Sequence, residues 1–137
     1  MIMIDSNIWA YYFDADAPEH KAVVAEVEKA LLEGALINTV VVMEVAHFLI
    51  KNLGPVLGGE KLGVLLSFPM QVDELTLGSA REATGELSKY SHLGVGGRDA
   101  TVLASMHRRG VNRLMTHDEA LKRVPGIQAM DPIKRGR

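Results

Sequence analysis

This chain predicts an α/β fold, with a short central parallel sheet held between two layers of helix, on two observations. Short apolar segments such as Ile2–Ile4, Ala35–Asn38 and Arg113–Met115 recur between stretches long enough for amphipathic helices. That alternation of strand and helix is the pattern of parallel sheets closed by crossover helices. Residues suited to helix starts follow the first two strands directly, so sheet passes to helix without a linker. In folds of this class ligands bind outside the carboxyl ends of the strands.

The elements follow in order. Ile2–Ile4 is a buried strand ending at Asp5, and Asp5, Ser6 and Asn7 are all good N-cap types for a short helix beginning near Ile8. Residues 14–17 make a turn, and Pro18 suits the first position of a helix to about Glu33. Ala22, Val23, Val27, Ala30 and Leu31 share one face of that helix, and Gly34 ends it. Ala35–Asn38 is the second strand, with Thr39 capping a helix to about Leu53. Gly54-Pro55 and then Gly58-Gly59 break the helical pattern before a short apolar helix at 60–67. A strand is expected at 70–73, and a helix opened by Thr76 runs to about Ser91. The glycines at 94, 96 and 97 form a flexible loop that delivers Arg98-Asp99 to the start of a helix ending near Arg109-Gly110. Arg113–Met115 is a strand, 117–123 a helical turn or two, and 127–130 the last strand.

Bulk properties fit one soluble domain over residues 1–137, with the tail 132–137 expected to fray. The 47% hydrophobic and 23% charged shares argue against disorder. No uninterrupted apolar run reaches the roughly 18 residues of a membrane span, because Glu44 and His47 interrupt the longest. The absence of cysteine excludes disulfides and thiolate metal sites, and together with the lack of a basic leader it fits a cytoplasmic location. Residues 1–75 hold 4 Lys+Arg against 11 Asp+Glu, and residues 76–137 hold 11 against 6. That imbalance suits a basic face for nucleic acid beside an acidic pocket, and equally two solvated surfaces that differ.

The chemistry lies in four acids set among apolar or small residues: Asp5, Glu44, Asp99 and Asp118. An ionised carboxylate taken out of water without a partner costs many kcal/mol, so such acids are paired or bound to metal. No Lys or Arg adjoins Asp5 or Glu44 in the sequence. Taken singly, Asp5 reads as a plain N-cap, Asp99 as an acid favoured by a helix dipole, and Asp118 as a commonplace helix start. Glu44, inside Val40-Val41-Val42-Met43-Glu44-Val45-Ala46, resists such a reading. Together they suit a hard divalent cation with oxygen ligands.

The strand ending in Asp5-Ser6-Asn7, the acid inside an apolar helix, Asp99-Ala100 before Leu103-Ala104, and Thr116-His117-Asp118 before Leu121 resemble the PIN domain in order and spacing. The resemblance runs from residue 2 to about 130, and the size is similar to the VapC-type toxin ribonucleases. It implies a three-layer α/β/α fold, Mg²⁺ or Mn²⁺ at the acidic cluster, endonucleolytic cleavage of RNA, and often a dimer. By position it makes Asp5, Glu44, Asp99 and Asp118 the catalytic metal ligands, with Ser6, Asn7 and Thr116 supporting them. A toxin of this type would be restrained by a small antitoxin protein that covers or enters the acidic cleft. Two departures stand out: the glycine-rich approach to Asp99, and Leu121 where an aromatic is common.

Other features are weaker. Arg98 and His117 are candidate substrate contacts, as are Arg108, Arg109 and Arg113, although solvated helix ends explain them too. Trp9, Tyr11 and Tyr12 suit either base stacking or core packing. The Glu44-x-x-His47 spacing lacks the second copy that a di-iron bundle needs, and the other histidines have no ligand spacing. Asn7 stands where a haloacid-dehalogenase-type phosphohydrolase needs its second acid. The remaining alternative is a PIN-fold module that binds RNA or protein without cutting, against which four intact acids argue.

Overall fold

The computed structural model describes residues 1–133. Five parallel strands form one sheet: β1 (Ile2–Ile4), β2 (Ala35–Asn38), β3 (Gln71–Asp73), β4 (Arg113–Met115) and β5 (Gln128–Met130), in the order β3-β2-β1-β4-β5. Helices α1 (Ser6–Phe13), α2 (His20–Glu33), α3 (Thr39–Ser67), α4 (Leu77–Tyr90), α5 (Gly97–Arg109) and α6 (Glu119–Lys122) flank it, completing three α/β/α layers. β1, β2 and β4 are buried almost throughout, as strands covered on both faces must be, and therefore read as continuous apolar runs.

The order of strands places the site. From β1 the chain moves outward to β2 and β3, then returns to the other side of β1 for β4 and β5. The direction of winding changes between β1 and β4, which opens a crevice at their carboxyl ends. Register aligns Met3 with Leu114 and Ile4 with Met115, so the next pair is Asp5 and Thr116. The ladder continues past the strand ends, with Asp5 N–H donating to the Met115 carbonyl at 3.0 Å and Thr116 N–H to that of Met130 at 3.0 Å.

Several boundaries differ from expectation. α2 begins at His20, two residues after Pro18, because the chain is still turning there: His20 N–H donates to the Ala17 carbonyl at 3.1 Å. The cap of α3 is Asn38, whose Oδ1 accepts from Val41 N–H at 2.8 Å; Thr39 Oγ1 instead accepts from Leu75 N–H at 3.0 Å. The only break inside α3 is Gly54, at φ 84°, ψ 168°. Gly58 and Gly59 continue the helix. At Gly58 a Cβ would lie 2.7 Å from the Leu49 carbonyl oxygen, so the second half of α3 folds against the backbone of the first. By length and composition α3 would suffice to cross a membrane, but the kink divides its 29 residues and its first half carries Glu44.

The core joins the sheet to the inner faces of the helices through side chains such as Leu36, Ile37, Val41, Leu49, Leu103, Leu114 and Met115. Trp9 is 0% exposed and stacks on Phe13 and Phe68, which excludes it from base stacking. Its indole N–H has no partner in that apolar setting. Ile133 is buried, so the chain stays packed beyond residue 132; residues 134–137 of the tail expected to fray lie outside the described residues.

Candidate active site

Four elements bring the predicted acids to the crevice. Asp5 leaves β1 and caps α1, with Oδ1 accepting from Ser6 N–H at 2.8 Å. Glu44 projects from the first half of α3, half-buried. Asp99 lies in the first turn of α5, whose N-terminal dipole favours a negative charge. Asp118 caps α6, its Oδ1 accepting from Ala120 and Leu121 N–H at 2.8 and 3.0 Å.

Thr116 joins two of them. Fully buried, its hydroxyl donates to Asp5 Oδ2 at 2.7 Å and accepts from Asp118 N–H at 3.0 Å. Asn7 Oδ1 takes the next backbone N–H, that of His117, at 3.4 Å. Ser6 contributes its backbone N–H to Asp5. The three supporting residues thus stitch the start of α1 to the loop after β4.

The acids disturb one another. Burial pushes the Asp5 carboxyl up; the hydrogen bonds from Thr116 and Ser6 pull the other way, while Glu44 and Asp118 add repulsion, and the net shift is upward. Asp99 is pushed up to about 6, first by burial and then by the charges of Asp118 and Asp5, with Glu44 adding to them. All four carboxylates therefore share one electrostatic site. Its donors are oxygen alone, which is the chemistry a hard divalent cation selects. Among the described residues no group of three or more His, Asp or Glu is already arranged to hold an ion.

Arg98 stands closer to the site than its neighbours in sequence indicate. Its guanidinium pairs with Glu44 Oε2 at 2.9 Å, with 75% of the arginine side chain exposed against 22% of the glutamate's. Glu44 thus has a cationic partner, supplied by another element. His117 also reaches the rim, where its Nδ1 lies 2.8 Å from Asp131 Oδ2 and its ring meets the edge of Tyr11. Arg108 and Arg109 go elsewhere, to Asp73, and Arg113 faces Glu33.

Two further acids at the same sheet edge escape sequence reasoning. Asp73 ends β3 and is 4% exposed; burial alone would raise its pKa, but Ser105, Arg108 and Arg109 hold it below the ordinary carboxylate value. Asp131 follows β5, with its side chain 4% exposed. Burial again acts upward, and Lys122, His117 and the Ile133 N–H outweigh it. Asn38 completes a buried polar chain by donating to Ser105 Oγ at 3.1 Å. The one legible signal was position, since each of the three residues closes or follows a short strand.

A family model for the PIN domain matches residues 2–127. The chain belongs to the PIN domain family. No curated protein matches it by sequence. Its fold is similar to that of VapC20 from Mycobacterium tuberculosis, described as a toxin that cleaves the sarcin-ricin loop, with a TM-score of 0.77 at 18% identity over 93% of this chain and 98% of that one. VapBC2 from Rickettsia felis, bound to a DNA fragment from its promoter, gives 0.75 at 17% over 96% and 98%. FitAcB from Neisseria gonorrhoeae gives 0.73 at 15% over 96% and 98%. At these identities the likeness is one of fold.

Proposed function

We propose that the protein is a metal-dependent endoribonuclease, acting in the cytoplasm as the toxin of a toxin–antitoxin pair. One observation carries the reading: four carboxylates from four elements meet at the β1/β4 crevice, where burial and the charges of the others raise the proton affinity of Asp5 and Asp99, and a single exposed arginine is their only cationic contact among the described residues. A protein gains nothing in stability from such an arrangement, whereas a divalent cation relieves it. Family membership and the fold shared with VapC20 support the nuclease reading. The neighbours crystallised as VapBC and FitAB complexes support a small partner protein, and an open groove lined by Phe13, Phe48, Leu53 and Leu57 is of a kind that takes a peptide segment. Exposed Val56, Val64 and Leu66 on α3 favour a homodimer.

Asp5, Asp99 and Asp118 would hold the ion, Mg²⁺ or Mn²⁺, directly or through water. That ion would supply a nucleophilic water near neutral pH and offset charge on the scissile phosphate. Glu44 would join them as a ligand, directly or through water, or take a proton from the attacking water. Thr116 keeps Asp5 and Asp118 at fixed separation, so that the ligands need not be ordered anew for each ion bound. Arg98 and His117, at the rim, meet RNA phosphates.

The test is cleavage of end-labelled RNA hairpins with Mn²⁺, Mg²⁺ or EDTA, beside folded Asp5→Asn and Asp99→Asn proteins. Cutting that needs metal and vanishes in both variants is the expected result. No cutting of any RNA, with no metal binding by calorimetry, would leave a non-cleaving binding module instead.

A further inference from the structure

We infer that Arg98 is a transferable counter-ion: it occupies Glu44 while the site lacks metal, and when a divalent cation takes that carboxylate it turns to the phosphate of the RNA. This rests on the reading of Glu44 as a metal ligand. Among the described residues Arg98 is the sole cation in contact with any of the four acids, and that contact reaches Glu44 alone. Asp73 and Asp131 show how a permanent partnership looks here. Asp73 is gripped by two guanidiniums and a hydroxyl, and Asp131 by an ammonium, an imidazole and a backbone N–H, with both carboxylates 4–6% exposed at the side chain. Arg98 instead makes one ion pair with three-quarters of its side chain in solvent, so little holds it there.

Position makes the exchange possible. Arg98 immediately precedes Asp99 on the first turn of α5, so its backbone is fixed beside a metal ligand while its long side chain remains free to swing. A guanidinium keeps its charge at all working pH values, and it binds carboxylate and phosphate with the same planar fork. With the ion on Glu44, the carboxylate's charge is taken, and the strongest remaining anion within reach is the phosphate drawn to that ion. Metal and RNA are then coupled through one side chain, each favouring the other.

The experiment has two parts, neither of which reads turnover. Calorimetric Mn²⁺ titrations compare the native protein with Arg98→Gln, in the native and Glu44→Gln backgrounds. Arg98→Gln should tighten Mn²⁺ roughly threefold or more in the native background and leave it unchanged with Glu44→Gln. An equal gain in both backgrounds would show that Arg98 acts by charge at a distance, and no gain in the native one would show no competition; either overturns the inference. The second part follows the Arg98 guanidinium signals by NMR, identified by their absence in Arg98→Lys. On Mg²⁺ addition they should move to where they lie in metal-free Glu44→Gln, then shift again with a non-cleavable RNA. Signals that ignore Mg²⁺ refute the exchange, even where Glu44→Gln binds Mn²⁺ too weakly for calorimetry. Absence of Mn²⁺ binding by the native protein removes the nuclease reading itself, and the inference with it.

Discussion

Replacing Asp99 by asparagine should make the metal-free protein more stable at neutral pH, although it removes a proposed metal ligand. The Asp99 carboxyl moves from 3.8 in the unfolded chain to about 6 in the fold. Two pKa steps correspond to roughly 3 kcal/mol, and screening at a half-buried position reduces this to about 1–2 kcal/mol. The sign follows from proton affinity. A raised acid binds its proton more readily in the folded state, so the Asp99 contribution to stability is greatest below pH 3.8, falls as pH rises to about 6, and is level above that. Asparagine mimics the protonated acid at every pH. Melting in EDTA should therefore show Asp99→Asn about 3–8 °C above the native protein at pH 7.5, with the gap closing toward pH 4. The loss of a favourable dipole contact on the first turn of α5 subtracts about 0.5 kcal/mol and leaves the sign unchanged. Saturating Mn²⁺ should reverse the ranking, since about 100 times the dissociation constant adds about 2.7 kcal/mol to the native protein alone. A variant less stable than native at pH 7.5 in EDTA, or a gap that ignores pH, would refute mutual repulsion as the character of this site.

Further expectations concern the supports. Thr116→Val removes a buried hydroxyl that serves two partners, so melting should report a loss of about 1–3 kcal/mol and calorimetry about a tenfold weaker Mn²⁺ affinity, with Thr116→Ser restoring both. Asp73→Asn leaves Arg108 and Arg109 without their shared carboxylate and should cost about 2–4 kcal/mol at pH 7 in denaturant titrations. Because the Asp73 pKa is lowered, that contribution is present above 3.8 and lost as pH falls below it, so the deficit should narrow in acid while cleavage per folded molecule stays native. Gly58→Ala places a methyl 2.7–2.9 Å from backbone atoms of Leu49 and Ile50 and should cost about 1–3 kcal/mol by the same titration. Gly59→Ala meets nothing within 4 Å and should gain a few tenths to about 1 kcal/mol from helix propensity.

Much of this was legible in the chain because local and global requirements agree. The strands β1, β2 and β4 are covered on both faces and so consist of apolar residues, and the helices announce themselves by caps and periodicity. Misread boundaries occurred where one residue type serves two ends. Gly54 ends a helix by adopting a positive φ, whereas Gly58 stays helical and is needed because backbone passes where a Cβ would sit. Both look the same in sequence. Pro18 suits a helix start as well as a turn, and the turn through His20 decided it.

The candidate site shows where such reading ends. Asp5, Glu44, Asp99 and Asp118 were visible because each stands among apolar or small residues with its partners undeclared. Asp73 and Asp131 also keep their carboxylates nearly out of solvent, with side chains 6% and 4% exposed, yet they are ordinary structural acids. The difference lies in what arrives from elsewhere in the chain: arginines 35 and 36 residues on for Asp73, a lysine and a histidine for Asp131, and only a hydroxyl and an N–H for Asp5. Those pairings depend on strand order and on the face each helix presents, which no local pattern encodes. Hydrogen bonds alone do not neutralise a carboxylate. The fold provides full counter-charge for two of its strand-end acids and withholds it from the third, at the crevice where the winding reverses, and that unmet charge is what the proposed cation would answer.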